Sequence, residues 1–151
     1  MPEVLRNEFK VKEGNFFACG LSFVLYPTNI FVPKVHANWR YFEMYDAEGS
    51  IVIHCFGGVQ DLTPCSLFDE DATCFYTSCK FACGRHHSEF YPNFKKTCEE
   101  YFWNSHRNEA CGIGGLFFDY LKETDEVSIE DRLNFVTEVG DSFFRKLCDN
   151  S

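Results

Sequence analysis

Polar and apolar residues alternate cleanly over positions 34–44. His36, Asn38, Arg40 and Phe42 fall on one side of an extended chain, and Val35, Ala37, Trp39 and Tyr41 on the other. That period of two predicts a strand with one face turned to a core. The apolar run 16–25, rich in Phe, Val and Leu, predicts a strand before it. Thr28 to Pro33, flanked by Pro27 and Pro33, reads as the connecting turn. Asp46 to Gly49 is a second turn signal, and residues 51–56 suit the returning strand of a hairpin. Gly57-Gly58 is predicted to end that strand.

Beyond it the period lengthens. Ser66 with Asp69 has the spacing of a capping box and predicts a helix over 67–83. A second helix is predicted from Pro92 to Trp103. Residues 113–119, set among Gly112, Gly114 and Gly115, read as a buried strand. Ser128 with Asp131 is a second capping box. The helix behind it carries Ile129, Leu133, Val136, Phe143 and Phe144 at helical spacing. The expected class is α+β, an antiparallel-rich sheet covered by helices, in one domain over 1–151.

Composition narrows what such a domain does. The 151 residues include 18 Phe, and 45% are hydrophobic. A chain of this size buries about two-thirds of its unfolded surface, so a folded core is expected rather than disorder. No apolar run approaches the ~20 residues of a membrane span. The chain does not open on a signal-peptide pattern, so a cytoplasmic location is expected. The net charge of −9 argues against a nucleic-acid partner. An anionic ligand would be repelled at long range and would need arginines at short range. None of the nine cysteines forms a C-x-x-C pair. Cys79 and Cys83 share a helix face, either as small core residues or as a metal or redox-sensing pair.

Three constellations carry candidate chemistry. His36, Asn38 and Arg40 set a proton-transfer group, an amide and a permanent cation side by side, which suits a carboxylated ligand. The solvated outer face of a hairpin has the same pattern, and both readings stand. In the second, Gly57-Gly58 would let backbone approach a ligand. Asp61, expected on the loop after them, would accept a proton or hydrogen bonds, or brace an Asx turn. The third, His106-Arg107-Asn108-Glu109 followed by Gly112 to Asp119, is expected at a helix end leading into a strand. Cations also favour helix ends without any ligand.

Taken together these segments resemble one family. Val32-Pro33-Lys34-Val35-His36-Ala37-Asn38-Trp39-Arg40-Tyr41-Phe42-Glu43 is similar to a histidine-x-asparagine-x-arginine strand. Gly57-Gly58 with Asp61-Leu62-Thr63-Pro64 is similar to a glycine turn and an Asp-Leu-Thr-Pro loop. Tyr91-Pro92, Lys95-Lys96, Cys98 and Tyr101 lead into His106 to Asp119. The family is that of the oxygen-dependent coproporphyrinogen III oxidases, with wording like that of Bacteroidetes-type members. The resemblance implies a flat antiparallel sheet between helices, assembled as a homodimer. It implies oxidative decarboxylation of two propionates of coproporphyrinogen III to vinyl groups, giving protoporphyrinogen IX. Molecular oxygen is the co-substrate, with no organic cofactor, and some members hold a divalent metal through histidines. By resemblance, Ser22, Asn38, Trp39 and Arg40 contact the substrate. His36 is the proton donor and a metal ligand, Asp61 binds the pyrrole NH groups, Arg107 holds a propionate and His106 is another metal ligand.

The chain also departs from that pattern. Tyr26, Cys74 and Tyr76 stand where the family has histidines, His54-Cys55 where it has Trp-Trp, and Val59 where it has a third glycine. Cys65 and Ser66 stand near its tyrosines, and Cys111 replaces a substrate-binding arginine. Neutral tyrosine is a poor ligand for a divalent ion beside histidine, so a metal is not expected on His36 and His106. Family members are longer, so the fold is expected to be incomplete relative to theirs. The alternative is a decayed, non-catalytic relative that binds tetrapyrrole or only self-associates.

Overall fold

Val35, Ala37 and Trp39, the apolar half of the alternating stretch, are all buried, while His36, Asn38 and Arg40 between them are half-exposed. The computed structural model describes residues 15–149, with side chains described over 15–143. Its elements are β1 (Phe16–Leu25), β2 (Lys34–Tyr45), β3 (Ile51–Thr63), α1 (Asp69–Gly84), α2 (Phe90–Tyr101), β4 (Trp103–Asn104), β5 (Glu109–Ala110), β6 (Gly114–Leu121) and α3 (Ile129–Asp149). The main sheet has the order β1-β2-β3-β6 and is antiparallel throughout; β4 and β5 form a separate small hairpin. The predicted α+β class is what the chain adopts.

The helices pack on the Trp39 face of the sheet. Phe75, Cys79 and Ala82 of α1 join Phe135, Val136, Val139 and Phe143 of α3 against Val35, Ala37, Leu62, Leu116 and Phe118. Aromatic rings are prominent in this layer. Phe118 lies 5.2 Å from Phe94 and 5.3 Å from Phe135, and Trp39 meets Phe143 edge-on at 5.8 Å. Such offset and edge-on contacts add to the burial of large apolar areas. Gly140 faces the Trp39 indole, where a Cβ would stand at an ordinary contact distance of 3.8 Å.

The structure corrects several expectations. Gly57-Gly58 does not end β3, which runs on to Thr63. A Cβ at Gly58 would come within 2.5 Å of the Phe118 ring, and one at Gly57 within 2.7 Å of Arg40 and Asp119. The two glycines thus admit neighbours on opposite faces of a continuous strand. Asp61 is therefore a strand residue rather than a loop residue. Ser66 caps nothing: α1 starts at Asp69 behind Phe68, which makes no side-chain cap bond. Asp69, Glu70 and Asp71 instead place negative charge on the first turn, where the helix dipole favours it.

The second capping box does form. Asp131 N–H donates to Ser128 Oγ and Ser128 N–H to Asp131 Oδ2, both at 3.1 Å. The buried stripe of α3 runs through Phe135, Val136, Val139 and Phe143, which leaves Leu133 half-exposed off its edge. Phe144 lies outside the described side chains. α2 begins at Phe90, so Pro92 sits in its first turn, where a missing N–H costs nothing. Near its end β6 holds one extra residue, since Phe118 pairs with Gly58 but Leu121 with Phe56; Tyr120 there takes a positive φ of 51°.

Cys79, Cys83 and Cys98 are fully buried, and burial pushes each thiol up to about 12. Cys79 Sγ accepts a 3.3 Å hydrogen bond from Gln60. These are core residues. Cys19, Cys65 and Cys111 are exposed. Since the thiolate is the reactive species, the exposed group should label with iodoacetamide at pH 8 within minutes. The buried trio should react ~100-fold more slowly or only on unfolding. Mass mapping of labelled peptides over time checks this, and fast labelling of Cys79 or Cys83 would contradict the packing described.

Candidate active site

Strand register builds the site. β2 pairs with β3 so that His36 faces Asp61, Asn38 faces Val59 and Arg40 faces Gly57. β1 pairs with β2 so that Ser22 faces Asn38 and Gly20 faces Arg40. On the far side of β3, Asp61 faces Gly115 and Val59 faces Phe117. Because side chains alternate, Ser22, His36, Asn38, Arg40 and Asp61 all project from one face, opposite the helix layer.

At one end of this face His36 Nδ1 lies 2.7 Å from Asp61 Oδ1. A carboxylate accepts, so Nδ1 carries the hydrogen and Nε2 of the neutral ring keeps its lone pair. The His36 side chain is 30% exposed and that of Asp61 only 8%. The second carboxylate oxygen accepts from Thr63 Oγ1 at 3.3 Å. Burial pushes the Asp61 pKa above its ordinary value, and the His36 hydrogen bond pulls partly against it. The ring edge of His36 meets Phe102, just before β4, at 6.4 Å. Tyr101 stacks on Phe117 at 4.5 Å, so the end of α2 and the β4–β5 hairpin border the site.

At the other end Arg40 Nη1 donates to Asn38 Oδ1 at 3.1 Å, and Nη2 pairs with Asp119 Oδ2 at 3.0 Å. Asp119 closes the third constellation, but nothing local in the sequence gives it a role at the site. Its one legible signal is that Gly115, Phe117 and Asp119 follow at steps of two on β6. Nothing in the sequence says that β6 lies beside β3 in the register that brings it to Arg40.

Not every expected residue joins the site. Trp39 packs on the opposite face against Phe23 and Phe143 and belongs to the core. The alternation that exposes Asn38 and Arg40 turns the indole away. His106 and Arg107 lie on the turn between β4 and β5, not at a helix end, and both are exposed. The turn is held by Asn104 Oδ1, which accepts from the His106 N–H at 3.1 Å. Arg107 pairs with Glu109 at 3.4 Å. Ser22 is on the expected face but on the exposed strand β1.

Among the described residues the expected metal ligands are not gathered at one point. His36 keeps Nε2 open, with Asp61 behind Nδ1, but nothing joins it: His106 is on an exposed turn, Tyr26 is exposed, and the Tyr76 hydroxyl donates to the Ile113 carbonyl. Among the described residues no three His, Cys, Asp or Glu side chains gather as a metal-holding cluster. His54 and His86 are engaged by Glu123 at 3.0 Å and Glu138 at 2.7 Å.

Known proteins share this arrangement of sequence. The family profile described as Coproporphyrinogen III oxidase matches residues 1–149. The oxygen-dependent coproporphyrinogen-III oxidase of Francisella tularensis subsp. mediasiatica is 46% identical over 129 residues, covering 85% of this chain and 41% of the relative. The chloroplastic enzyme of that name from Glycine max is 46% identical over 130 residues, covering 84% of this chain and 33% of the relative. The chain thus spans well under half the length of the curated relatives it matches.

The buried Asp61 makes a stability prediction. Its folded pKa lies above the unfolded value, so the folded chain binds more protons and stability falls as pH rises through that interval. Asp61→Asn keeps an acceptor for His36 Nδ1–H and removes the charge. At acid pH, where Asp61 is protonated, variant and parent should unfold at the same urea concentration. As pH climbs past the ordinary carboxylate value of 3.8 toward neutrality, the variant should become the more stable. A parent that gains on the variant over that range would contradict the burial argument.

Proposed function

Because the chain belongs to the coproporphyrinogen III oxidase family, we propose that it takes part in the oxidative decarboxylation of coproporphyrinogen III. The observation that carries this reading is the His36–Asp61 pair set on the same open face as Arg40. The substrate is a tetra-anion, and this face offers it a fixed guanidinium beside a proton-transfer group.

The stoichiometry says what the protein must supply. Each propionate becomes a vinyl group by losing carbon dioxide, one proton and two electrons. Oxygen takes the two electrons and two protons to give hydrogen peroxide. One proton is therefore consumed per side chain. His36 is the group to move it, through Nε2, with the ring fixed by Asp61 at Nδ1. With both of its oxygens hydrogen-bonded and little surface exposed, Asp61 is better suited to orienting His36 than to holding pyrrole NH groups directly. Arg40 and Asn38 hold a carboxylate, with Ser22 across from them on β1, and Arg107 would reach another from the exposed β4–β5 turn. Molecular oxygen is the co-substrate in this reading, and no organic cofactor is needed. No step is assigned to a metal, since the donors do not converge.

A cytoplasmic location and a homodimer complete the proposal. The first rests on exposed free thiols such as Cys65 and Cys111. Among the described residues no helix is long and apolar enough to cross a membrane. The second rests on β1, an edge strand exposing Phe16, Phe17, Leu21, Val24 and Leu25.

The test is turnover of coproporphyrinogen on moving from anaerobic to aerobic buffer, read by porphyrin fluorescence after separation. His36→Ala should lower the rate ~100-fold or more while leaving coproporphyrin affinity nearly unchanged. A chain that binds coproporphyrin but never turns over would instead favour the non-catalytic relative. Binding should weaken with salt, which screens the pairing of Arg40 with a carboxylate, while relief of the long-range repulsion from the net charge of −9 works against part of that loss. Cys111 lies exposed next to β5, its N–H donating to the Phe102 carbonyl at 3.0 Å. Cys111→Arg should tighten coproporphyrin binding about 10-fold, the worth of one charge-assisted pair. An unchanged dissociation constant would place Cys111 off the ligand.

A further inference from the structure

We infer that Asp119 is a positioning residue for carboxylate recognition: it holds the Arg40 guanidinium in its binding orientation, over a notch that only glycine at position 57 leaves open. The inference rests on the reading of Arg40 as a carboxylate anchor and adds the parts that aim it. Three contacts define the arrangement. Asn38 Oδ1 accepts from Nη1 at 3.1 Å, Asp119 Oδ2 accepts from Nη2 at 3.0 Å, and the guanidinium lies across Gly57 between β2 and β6. A Cβ at position 57 would stand 2.7 Å from both Arg40 Nε and Asp119 Oδ1, and 2.8 Å from Arg40 Cζ. The notch is therefore filled by the ion pair itself.

Arg40 and Asp119 are each more than a third exposed, so the pair adds little to fold stability. Its effect is geometric. Arginine on an open strand face samples many rotamers, and a ligand that binds it must stop that motion. Here the planar fork is already held on two sides, by an amide on its own strand and by a carboxylate two strands away. Two of its five N–H groups are used in those contacts, and the others are left for a carboxylate oxygen arriving from solvent. Asp119 also offsets the charge of Arg40 in the unliganded chain. Affinity then comes from directed hydrogen bonds more than from a bare cation. The β6 bulge, with Tyr120 at positive φ, follows Asp119 directly, and the Tyr120 N–H donates to Asp119 Oδ1 at 3.0 Å. The same carboxylate is thus tied to its own backbone on one oxygen and to Arg40 on the other.

The experiment has a ligand-free and a ligand-bound arm on the whole chain. In the first, the Arg40 Nε–H is followed by nitrogen-15 NMR for exchange with solvent. In the second, coproporphyrin is titrated by fluorescence. Asp119→Ala and Gly57→Ala should each speed Arg40 Nε–H exchange and weaken coproporphyrin ~10-fold. Asp119→Asn keeps an acceptor and should restore most of both, whereas Asp119→Leu, which fills the space without an acceptor, should not. In an Arg40→Ala background, adding Asp119→Ala should cost nothing further. Unchanged exchange in Asp119→Ala, or an equal loss of affinity with Arg40 already removed, would overturn the inference. If the parent chain binds no coproporphyrin while Arg40 exchange responds as stated, the positioning stands and the proposed function fails.

Discussion

The register between β2 and β3 is the constraint on which everything else depends. It sets His36 opposite Asp61, Arg40 opposite Gly57, and Trp39 opposite Gly58. A slip of one residue would turn each side chain to the other face, burying Arg40 and exposing Trp39. The aromatic layer beneath prevents that slip. Trp39, Phe56 and Phe118 belong to the apolar cluster shared by sheet and helices, where a charged group would be buried unpaired. Core packing and site geometry are thus two readings of one pairing. The interior fixes the register, and the register assembles chemistry on the opposite face.

Glycines mark the points where that face becomes crowded. Gly20 and Gly57 flank Arg40 on both neighbouring strands, and Gly115 lies beside Asp61. A Cβ at Gly20 would stand 2.7 Å from the Trp39 carbonyl, and one at Gly115 would overlap the β3 backbone. Glycine weakens a strand interior by leaving nothing to pack. Here the missing side chains are replaced by neighbours: the Arg40–Asp119 pair over Gly57, and the Phe118 ring against Gly58.

Much of this was legible in sequence because it depends on local period. The alternation of residues 34–44 gave β2 and both its faces, and the reciprocal Ser128–Asp131 pattern gave the start of α3. What failed depends on contacts distant in sequence. Gly57-Gly58 reads as a strand end until Phe118 and Asp119 are known to occupy the space, and with it Asp61 reads as a loop residue. Ser66 carries the right letters for a cap but stands two residues ahead of Phe68, where the helix is entered. Trp39 shares a motif with polar neighbours, but the same alternation that exposes Arg40 turns it inward. Asp119 could not be tied to Arg40 without knowing which strand β6 joins.

The exposure of β1 bears on how the site moves. Among the described residues this strand is hydrogen-bonded on one edge only, and nearly all its side chains face solvent. β2 and β3 are paired on both edges and carry the core. Local opening in a folded chain follows such differences, beginning where backbone bonds are exposed and apolar burial is small. Ser22 and Gly20 therefore ride on the segment least costly to release, whereas His36, Asp61 and Arg40 ride on the segments released last. The face has one wall fixed by the core and one able to breathe. A bulky ring entering between them meets rigid chemistry on one side and a yielding boundary on the other.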